Sequence, residues 1–190
     1  MNSFYSQEEL KELGLKHYGE NVLISRKCSI YGAKNISIAN NVRIDDFCIL
    51  SGKITIGNYC HIAAATLLFG GKQGIVLEDF SGLSSRCAIY AETDDFSGEF
   101  MAHPTLPDKY RKVHGGKVLL KKHSLLGTGT SVMPNVVIGE GTAVGAISFV
   151  NKNLDEWSVY CGSPARKIKE RSKNLLTLEE MFIAKRKEFL

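Results

Sequence analysis

One stretch of the chain, residues 94–117, concentrates side chains that can carry protons or charge. Its titratable residues include Asp94, Asp95, Glu99, His103, Asp108, Lys109, Arg111, Lys112 and His114. Carboxylates bind cationic groups and accept protons, and imidazole titrates near neutral pH. A long irregular segment in a compact protein is usually functional or disordered. We interpret this one as functional, and the alternative is a solvated surface loop.

The other histidines and the cysteines suggest little further chemistry. His61 directly precedes an apolar residue and is predicted to point outward, either into a site or into packing. For His17 and His123 we expect surface or packing roles. The five cysteines form no CxxC pair, so neither a disulfide framework nor a zinc site is indicated, and we expect no bound metal.

Basic residues near the C-terminus favour an anionic ligand. Lys152, Arg166, Lys167 and Lys169 are the candidates, and the alternative is a solvated helix flank. The formal net charge is only +4, which suits a small anion better than a nucleic acid.

The elements that position these candidate residues follow a six-residue repeat. Aliphatic residues recur at every sixth position, as Leu120, Leu126, Val132, Ile138, Val144 and Val150; as Ile38, Ile44, Leu50, Ile56 and Ile62; and as Leu77, Leu83 and Ile89. Small or β-branched residues occupy the position four further on, as Ser124, Thr130, Val136, Thr142 and Ser148; as Val42, Cys48, Ile54, Cys60 and Thr66; and as Ser81, Cys87 and Thr93. A helix places residues six apart on different faces, so it is excluded.

The repeat predicts an all-β solenoid, in which three short strands make each triangular coil and the aliphatic residues stack inside. The fourteen aliphatic positions predict between four and five coils. A chance alignment or a conventional β-sandwich is the alternative.

The register breaks twice and both ends differ from it. Residues 69–74 predict a small bulge or loop, and residues 94–117 a long excursion. Ser6 and Glu9 form a capping box that predicts a short N-terminal helix over the first coil. Thr177 and Glu180 predict an amphipathic C-terminal helix that closes the last coil or packs on a neighbour. The expected division is 1–20 as helical cap, 21–165 as β-helix and 166–190 as basic helical tail.

Composition excludes several classes. The chain is 44% hydrophobic and 23% charged with only four prolines, which is ordinary for one globular domain. The chain has a polar N-terminus and contains no run of about 18 apolar residues. We therefore expect a cytoplasmic protein without membrane or nucleic-acid partners.

The segment 117–170 resembles the C-terminal half of bacterial hexapeptide-repeat sugar acetyltransferases. The similarity lies in the six-residue register, in MPNVVIGEGTAVGA and in the closing CGSPARKIK. With the earlier repeats it extends over about 150 residues by register. The resemblance implies a left-handed β-helix, a homotrimer, and acetyl-CoA bound as co-substrate between subunits.

The resemblance also implies where the coenzyme binds. Its extended arm would lie along outward corners at Gly127, Thr128, Gly145, Ala146 and Ser163. Its phosphates need cations, for which Lys152, Arg166, Lys167 and Lys169 are the candidates.

The excursion departs from the pattern of the O-acetylating relatives. Those enzymes carry a histidine base in this loop, whereas the stretch here reads AETDDFSGE, with Asp94 and Asp95 in its place. An amine with a populated free form needs less help than a hydroxyl. Asp94 and Asp95 are therefore the catalytic candidates for an amine acceptor, and His103 or His61 for a hydroxyl. Glu99, Arg111 and His114 are predicted to bind substrate.

The predicted function is N-acetylation of a nucleotide-linked aminodeoxy sugar, a small-molecule acceptor, during surface-polysaccharide or lipopolysaccharide biosynthesis. The alternatives are O-acetylation of a sugar hydroxyl, as in galactoside or maltose acetyltransferases, a zinc enzyme similar to carbonic anhydrase, and a non-catalytic scaffold.

Overall fold

The computed structural model, which describes residues 3–188, is a three-sided parallel β-solenoid of about seven coils. Along the chain, strands of face 1, face 2 and face 3 follow one another in turn. The face 1 strands are Leu23–Ile24, Arg43–Ile44, His61–Ile62, Gly82–Leu83, Leu125–Leu126, Ala143–Val144 and Ser158–Cys161. The predicted solenoid is confirmed.

Faces 2 and 3 share two long strands, Ile49–Ile56 and Leu67–Leu77, which bend around the corner between them. The other face 2 strands are Ser29–Tyr31, Ala88–Tyr90, Ser131–Val132 and Phe149–Val150. The other face 3 strands are His17–Tyr18, Ile36–Ile38, Val118–Leu120 and Val137–Ile138. The pairing of the long strands shifts register at Gly52 and Gly71, so the predicted bulge at 69–74 is confirmed.

The prism interior holds the repeat. All fourteen aliphatic positions are at most 3% exposed, and every companion position is buried except Thr93, which lies outside the solenoid. The predicted coil count was too low because Ile24, Leu68 and Tyr160 also fill the aliphatic column. Leu68 continues the six-residue series from Ile62 and was overlooked, whereas Ile24 and Tyr160 lie out of register with Ile38 and Val150.

The turns between faces 3 and 1 and between faces 1 and 2 share a backbone conformation. The third residue before each interior aliphatic has positive φ, as at Asn41, Tyr59 and Phe80 (57°, 57° and 59°). This left-handed conformation is unfavourable for residues other than glycine. The coil below compensates for it, since the Phe80 N–H donates to the Asn58 carbonyl at 2.8 Å.

The N-terminal helix is Gln7–Glu12, and its capping box is formed as predicted. The Glu9 N–H donates to the Ser6 hydroxyl at 3.3 Å, and the Ser6 N–H donates to the Glu9 carboxylate at 2.7 Å. Leu10 is fully buried, so the helix covers the first coil.

The C-terminal segment differs from the prediction in start and position. Strand Arg166–Glu170 runs antiparallel to Ser158–Cys161, and helix Asn174–Glu188 follows. Thr177 lies inside this helix and does not cap it. Phe182 packs edge-on against Tyr59 at 5.2 Å between ring centroids, so the helix runs back along the corner between faces 3 and 1. It does not close the last coil, because the antiparallel strand already covers that edge.

The excursion, called here the arm (residues 91–117), enters at the corner between faces 2 and 3 of the fourth coil. It contains a hairpin of Glu92–Asp94 with Val113–Gly115 and the 3-10 helix Asp108–Tyr110; a second 3-10 helix, Ala33–Asn35, lies in the first coil. The Gly116 N–H donates to the Ala91 carbonyl at 2.9 Å and closes the base of the arm. The arm is therefore an insertion that leaves the stacking intact.

Candidate functional site

The two aspartates of the arm lie on opposite sides of its hairpin. Glu92 pairs with Gly115, Thr93 with His114 and Asp94 with Val113. Because side chains alternate along a strand, Glu92 and Asp94 share one side, and Thr93 and His114 the other. Asp95 follows with His114, to which it is hydrogen-bonded at 3.1 Å. The sequence grouped Asp94 and Asp95 as equivalent candidates, and the hairpin separates them.

The hydrogen bonds of Asp95 stabilise the conformation of the arm. Its carboxylate accepts hydrogen bonds from the Ser97 hydroxyl at 2.8 Å and the Gly98 N–H at 3.1 Å, and its side chain is 6% exposed. The Ser97 hydroxyl, with help from His114, lowers the pKa of Asp95 to about 2. A carboxylate with so low a pKa is a poor proton acceptor near neutral pH.

Asp94 is more available. Its side chain is 31% exposed and accepts one long hydrogen bond, 3.3 Å, from the His103 N–H. The His103 ring is 78% exposed, and its Nδ1 lies 4.0 Å from the carboxylate, which is too far for a hydrogen bond. The arm thus presents a carboxylate, and the predicted base His103 contributes mainly its backbone.

The remaining predicted substrate residues are dispersed. His114 holds Asp95, and Arg111 donates to Asp108 at 2.6 and 2.9 Å. Glu99 is exposed near the tip, where its N–H donates to the Ser97 hydroxyl at 3.2 Å. Of these three residues, Arg111 lines a cavity beside the base of the arm.

A groove runs along the corner between faces 1 and 2, whereas the arm leaves the solenoid at the corner between faces 2 and 3. It is a cavity of about 250 Å³ whose lining includes His61, Ala63, Ser84, Ser85 and Thr128. The Ser85 and Thr128 hydroxyl oxygens are 3.4 Å apart. We call this cavity the groove.

His61 points outward into the groove, as predicted. Its Nε2 is 2.7 Å from Asp45, which also accepts from Arg43 Nε at 2.7 Å. Burial raises the pKa of Asp45, but the bonds from Arg43 and His61 outweigh it, and the pKa stays below its usual value. His61 is thus oriented by an ionised carboxylate.

The groove continues into the corner predicted to bind the coenzyme. Gly127, Thr128, Gly145, Ala146 and Ser163 follow the face 1 strands of the last three coils. A Cβ on Gly127 would stand 2.6 Å from the Ala146 nitrogen, so the coils touch here backbone to backbone. These stacked corner residues, called here the column, therefore form a regular row of backbone N–H and carbonyl groups.

Three of the four predicted phosphate-binding cations lie beyond this column. Arg166, Lys167 and Lys169 belong to the exposed strand Arg166–Glu170. Lys167 is paired with Glu170 at 2.7 Å, which raises the pKa of Lys167. Lys152 follows face 2 strand Phe149–Val150, so the structure places it at another corner.

Ser84 and Ser85 had not been singled out by sequence reasoning. They lie one coil below Thr128, and the Gly129 N–H donates to the Ser85 carbonyl at 3.0 Å. The stacking rule would have found them, but the arm inserts between the two coils and hides the spacing.

A larger cavity, of about 430 Å³, lies beside face 3 and includes Glu78, Asp79 and Lys122. Its charged groups have structural partners. Lys122 pairs with Glu179 of the C-terminal helix at 2.6 Å, and Glu78 accepts from the Lys122 N–H at 3.0 Å. His123 also bonds Glu179, at 2.7 Å, which confirms its predicted packing role.

The most informative comparison is with a curated relative. The dTDP-4-amino-4,6-dideoxy-D-glucose acyltransferase of Escherichia coli is 44% identical over 183 residues, covering 95% of both chains. This chain belongs to the same hexapeptide-repeat acyltransferase family, and it is an acyltransferase. The predicted enzyme class is confirmed.

Solved structures agree with this assignment. AntD, an N-acyltransferase from Bacillus cereus in complex with dTDP and 3-hydroxybutyryl-CoA, is 57% identical, with a TM-score of 0.97 over 98% of this chain and 100% of that one. Other AntD structures are variants of a serine or an aspartate. The perosamine N-acetyltransferase of Caulobacter crescentus, 18% identical over 78% of this chain and 57% of that one with a TM-score of 0.60, shares the fold.

A scan against protein-family models found no match. Among residues 3–188, no helix is long and apolar enough to cross a membrane. In the same range, no three His, Cys, Asp or Glu residues come together as a candidate metal site.

Proposed function

We propose that this acyltransferase transfers an acyl group from acyl-CoA to the amino group of a dTDP-linked 4-amino-4,6-dideoxy sugar. The observation that carries the proposal is Asp94, a partly exposed carboxylate of the arm that no side chain in the described part of the protein hydrogen-bonds; the nearest imidazole there, that of His103, lies 4.0 Å away. The E. coli relative and AntD, each of which aligns with at least 95% of this chain, support the choice of acceptor.

The proposed reaction starts from the acceptor amine in its ammonium form. Asp94 binds the sugar ammonium and passes one proton to solvent, which frees the nitrogen lone pair. The nitrogen attacks the thioester carbonyl carbon, a C–N bond forms and the C–S bond breaks. The second proton, released as the amide forms, neutralises the CoA thiolate. Weak assistance is enough because an amine is a good nucleophile once deprotonated.

The groove and the column above it are the proposed acyl-CoA site. Ser84, Ser85 and Thr128 supply hydroxyls beside the reacting thioester, and Gly127, Gly145, Ala146 and Ser163 supply backbone groups for the pantetheine. Arg166, Lys167 and Lys169 are placed to bind phosphates. Acetyl is the expected acyl group, and the 3-hydroxybutyryl thioester in AntD makes longer acyl groups the competing choice.

We further propose a homotrimer. The groove lies at the corner between faces 1 and 2, whereas Asp94 lies at the corner between faces 2 and 3. A site that unites Asp94 with the groove therefore needs a second copy of the chain. Cytoplasmic synthesis of a surface polysaccharide is the proposed setting; one relative, 28% identical over 151 residues, is the putative lipopolysaccharide biosynthesis O-acetyl transferase WbbJ of E. coli.

A thiol-release assay tests the reaction. Acetyl-CoA and 3-hydroxybutyryl-CoA are each offered with dTDP-4-amino-4,6-dideoxyglucose and with the matching 4-hydroxyl sugar nucleotide. We expect turnover of the amine only, retained in His103→Ala. Turnover of the hydroxyl sugar that is lost in His103→Ala or His61→Ala would instead establish O-acylation.

A further inference from the structure

A second cavity lies against the arm, at the corner between faces 2 and 3. It measures about 310 Å³ and is lined by Lys72, Gln73, Glu92, Arg111, Val113 and Gly115. Pockets for whole small molecules span roughly 300–1,000 Å³. This cavity lies at the lower end of that range, which suits part of a nucleotide sugar.

Two glycines shape the cavity wall. A Cβ on Gly71 would stand 2.2 Å from Glu92 Cδ, and a Cβ on Gly115 would stand 2.8 Å from Gln73 Cγ. The Lys72 N–H donates to Glu92 Oε1 at 2.7 Å. Glu92 is thus fixed against the solenoid, and its carboxylate anchors the base of the arm beside the cavity.

The cavity lies on the Asp94 side of the hairpin. Glu92, Val113 and Gly115 share that side with Asp94, because Glu92 pairs with Gly115 and Asp94 with Val113. Two residues along a strand advance about 7 Å. A ligand that reaches from Asp94 into the cavity therefore crosses roughly the length of one sugar ring.

The cations of the cavity have little to hold them in their present positions. Both Arg111 donors go to the same oxygen of Asp108, and that carboxylate is 89% exposed. Exposed ion pairs contribute little free energy. Arg111 is itself only 23% exposed, so its guanidinium lies against the cavity while its partner faces solvent. Lys72 adds a second positive charge to the lining of the cavity.

We propose that this cavity binds the diphosphate of the acceptor nucleotide, with Arg111 exchanging Asp108 for phosphate oxygens and Lys72 assisting. This inference rests on the proposed function and adds to it the residues that recognise the nucleotide. A guanidinium fork suits phosphate geometry, whereas Glu92 repels phosphate and so faces the hydroxyl-bearing part of the ligand. The coenzyme phosphates belong elsewhere, since the strand Arg166–Glu170 continues face 1.

The test is calorimetric titration of the full-length protein with dTDP and, separately, with CoA. Bonds to charged groups of this kind predict a ten- to hundredfold weaker dTDP affinity in Arg111→Ala and a smaller loss in Arg111→Lys and Lys72→Ala. CoA affinity, unchanged within about twofold, shows that the variants are folded. Lys34→Ala, at an exposed lysine of the first coil, is the matched control and leaves both affinities unchanged.

Asp108→Asn separates binding from a structural role. If Arg111 must leave Asp108 to bind phosphate, this variant binds dTDP more tightly than the wild type, by about two- to fivefold. If the pair only stabilises the arm, both Asp108→Asn and Arg111→Ala weaken binding, which would overturn the proposal.

Two other outcomes are equally decisive. A CoA affinity that falls with Arg111→Ala while dTDP affinity does not would assign the cavity to the coenzyme. Failure of the wild type to bind dTDP while it binds CoA would also overturn the inference. The proposed function is judged separately: acylation of the aminosugar with an unchanged KM in Arg111→Ala refutes the cavity assignment and leaves the reaction standing.

Discussion

The coils and the arm achieve order by different means. In the coils each interior side chain repeats above and below itself, and Leu126 stacks in register with Leu83 and Val144. In the arm most residues are exposed, and single polar contacts, such as those of Asp95 and Glu92, fix the backbone. Repetition marks residues that serve stability, so the unrepeated charged residues of the arm are the stronger candidates for recognition.

The largest effect is expected from Leu126→Ala in the coils. Leu126 is fully buried, so its truncation should lower the free energy of unfolding by about 2–5 kcal/mol, measured by urea denaturation. Leu125→Ala is the control in the same strand, because Leu125 is 42% exposed and should cost clearly less. Equal losses at both positions would contradict the described interior.

The next effect concerns Asp94 in the arm. We expect Asp94→Asn to lower kcat with the amine acceptor by about a hundredfold, because the amide cannot take a proton. The midpoint of thermal unfolding should stay the same, since Asp94 accepts only one long hydrogen bond. A lower midpoint of thermal unfolding together with normal activity would show that Asp94 serves stability and not catalysis.

Gly71→Ala tests the junction between the two regions. The new Cβ would displace Glu92, and the φ of +50° adds strain, so we expect the free energy of unfolding to fall by about 1–2 kcal/mol. We also expect the KM for the acceptor to rise more than the KM for acyl-CoA. Gly14→Ala has a similar φ of +67° with open space around it, so it isolates the strain. An unchanged acceptor KM in Gly71→Ala would mean that the arm does not depend on Glu92.

The smallest effect is the acid response of the arm. The pKa of Asp95, about 2 when folded, lies below the ordinary value near 3.9. The contribution of Asp95 is therefore complete above about pH 4 and lost as the pH falls through about 2. Measured relative to the intrinsic rate at each pH, hydrogen exchange of the Ser97 and Gly98 amides should rise as the pH falls across that window, and the rise should disappear in Asp95→Asn. Exchange that rises equally in the amides of the fifth and sixth coils would point to global unfolding.

The sequence predicts the coils well because their spacing is set by contacts that repeat. Interior positions such as Ile62 and Val132 follow from a period of six alone, and Ser6 and Glu9 identify the first helix. The arm has no such rule. That Asp94 and Asp95 lie on opposite sides depends on the pairing of Asp94 with Val113, nineteen residues away, and no local pattern records that pairing. Ser85 was missed for a related reason, since Thr128, which stacks on it, lies beyond the arm in the sequence.

The closed base of the arm has a consequence for how specificity can diverge. Strand Ala88–Tyr90 stacks on Leu67–Phe69 and strand Val118–Leu120 on Ile75–Leu77, as if nothing lay between them. The intervening segment is therefore a module that can be exchanged, lengthened or trimmed between Ala91 and Gly116 without altering the phase of later coils. Grafting this module between relatives should transfer preference for the acceptor while leaving the thioester donor unchanged.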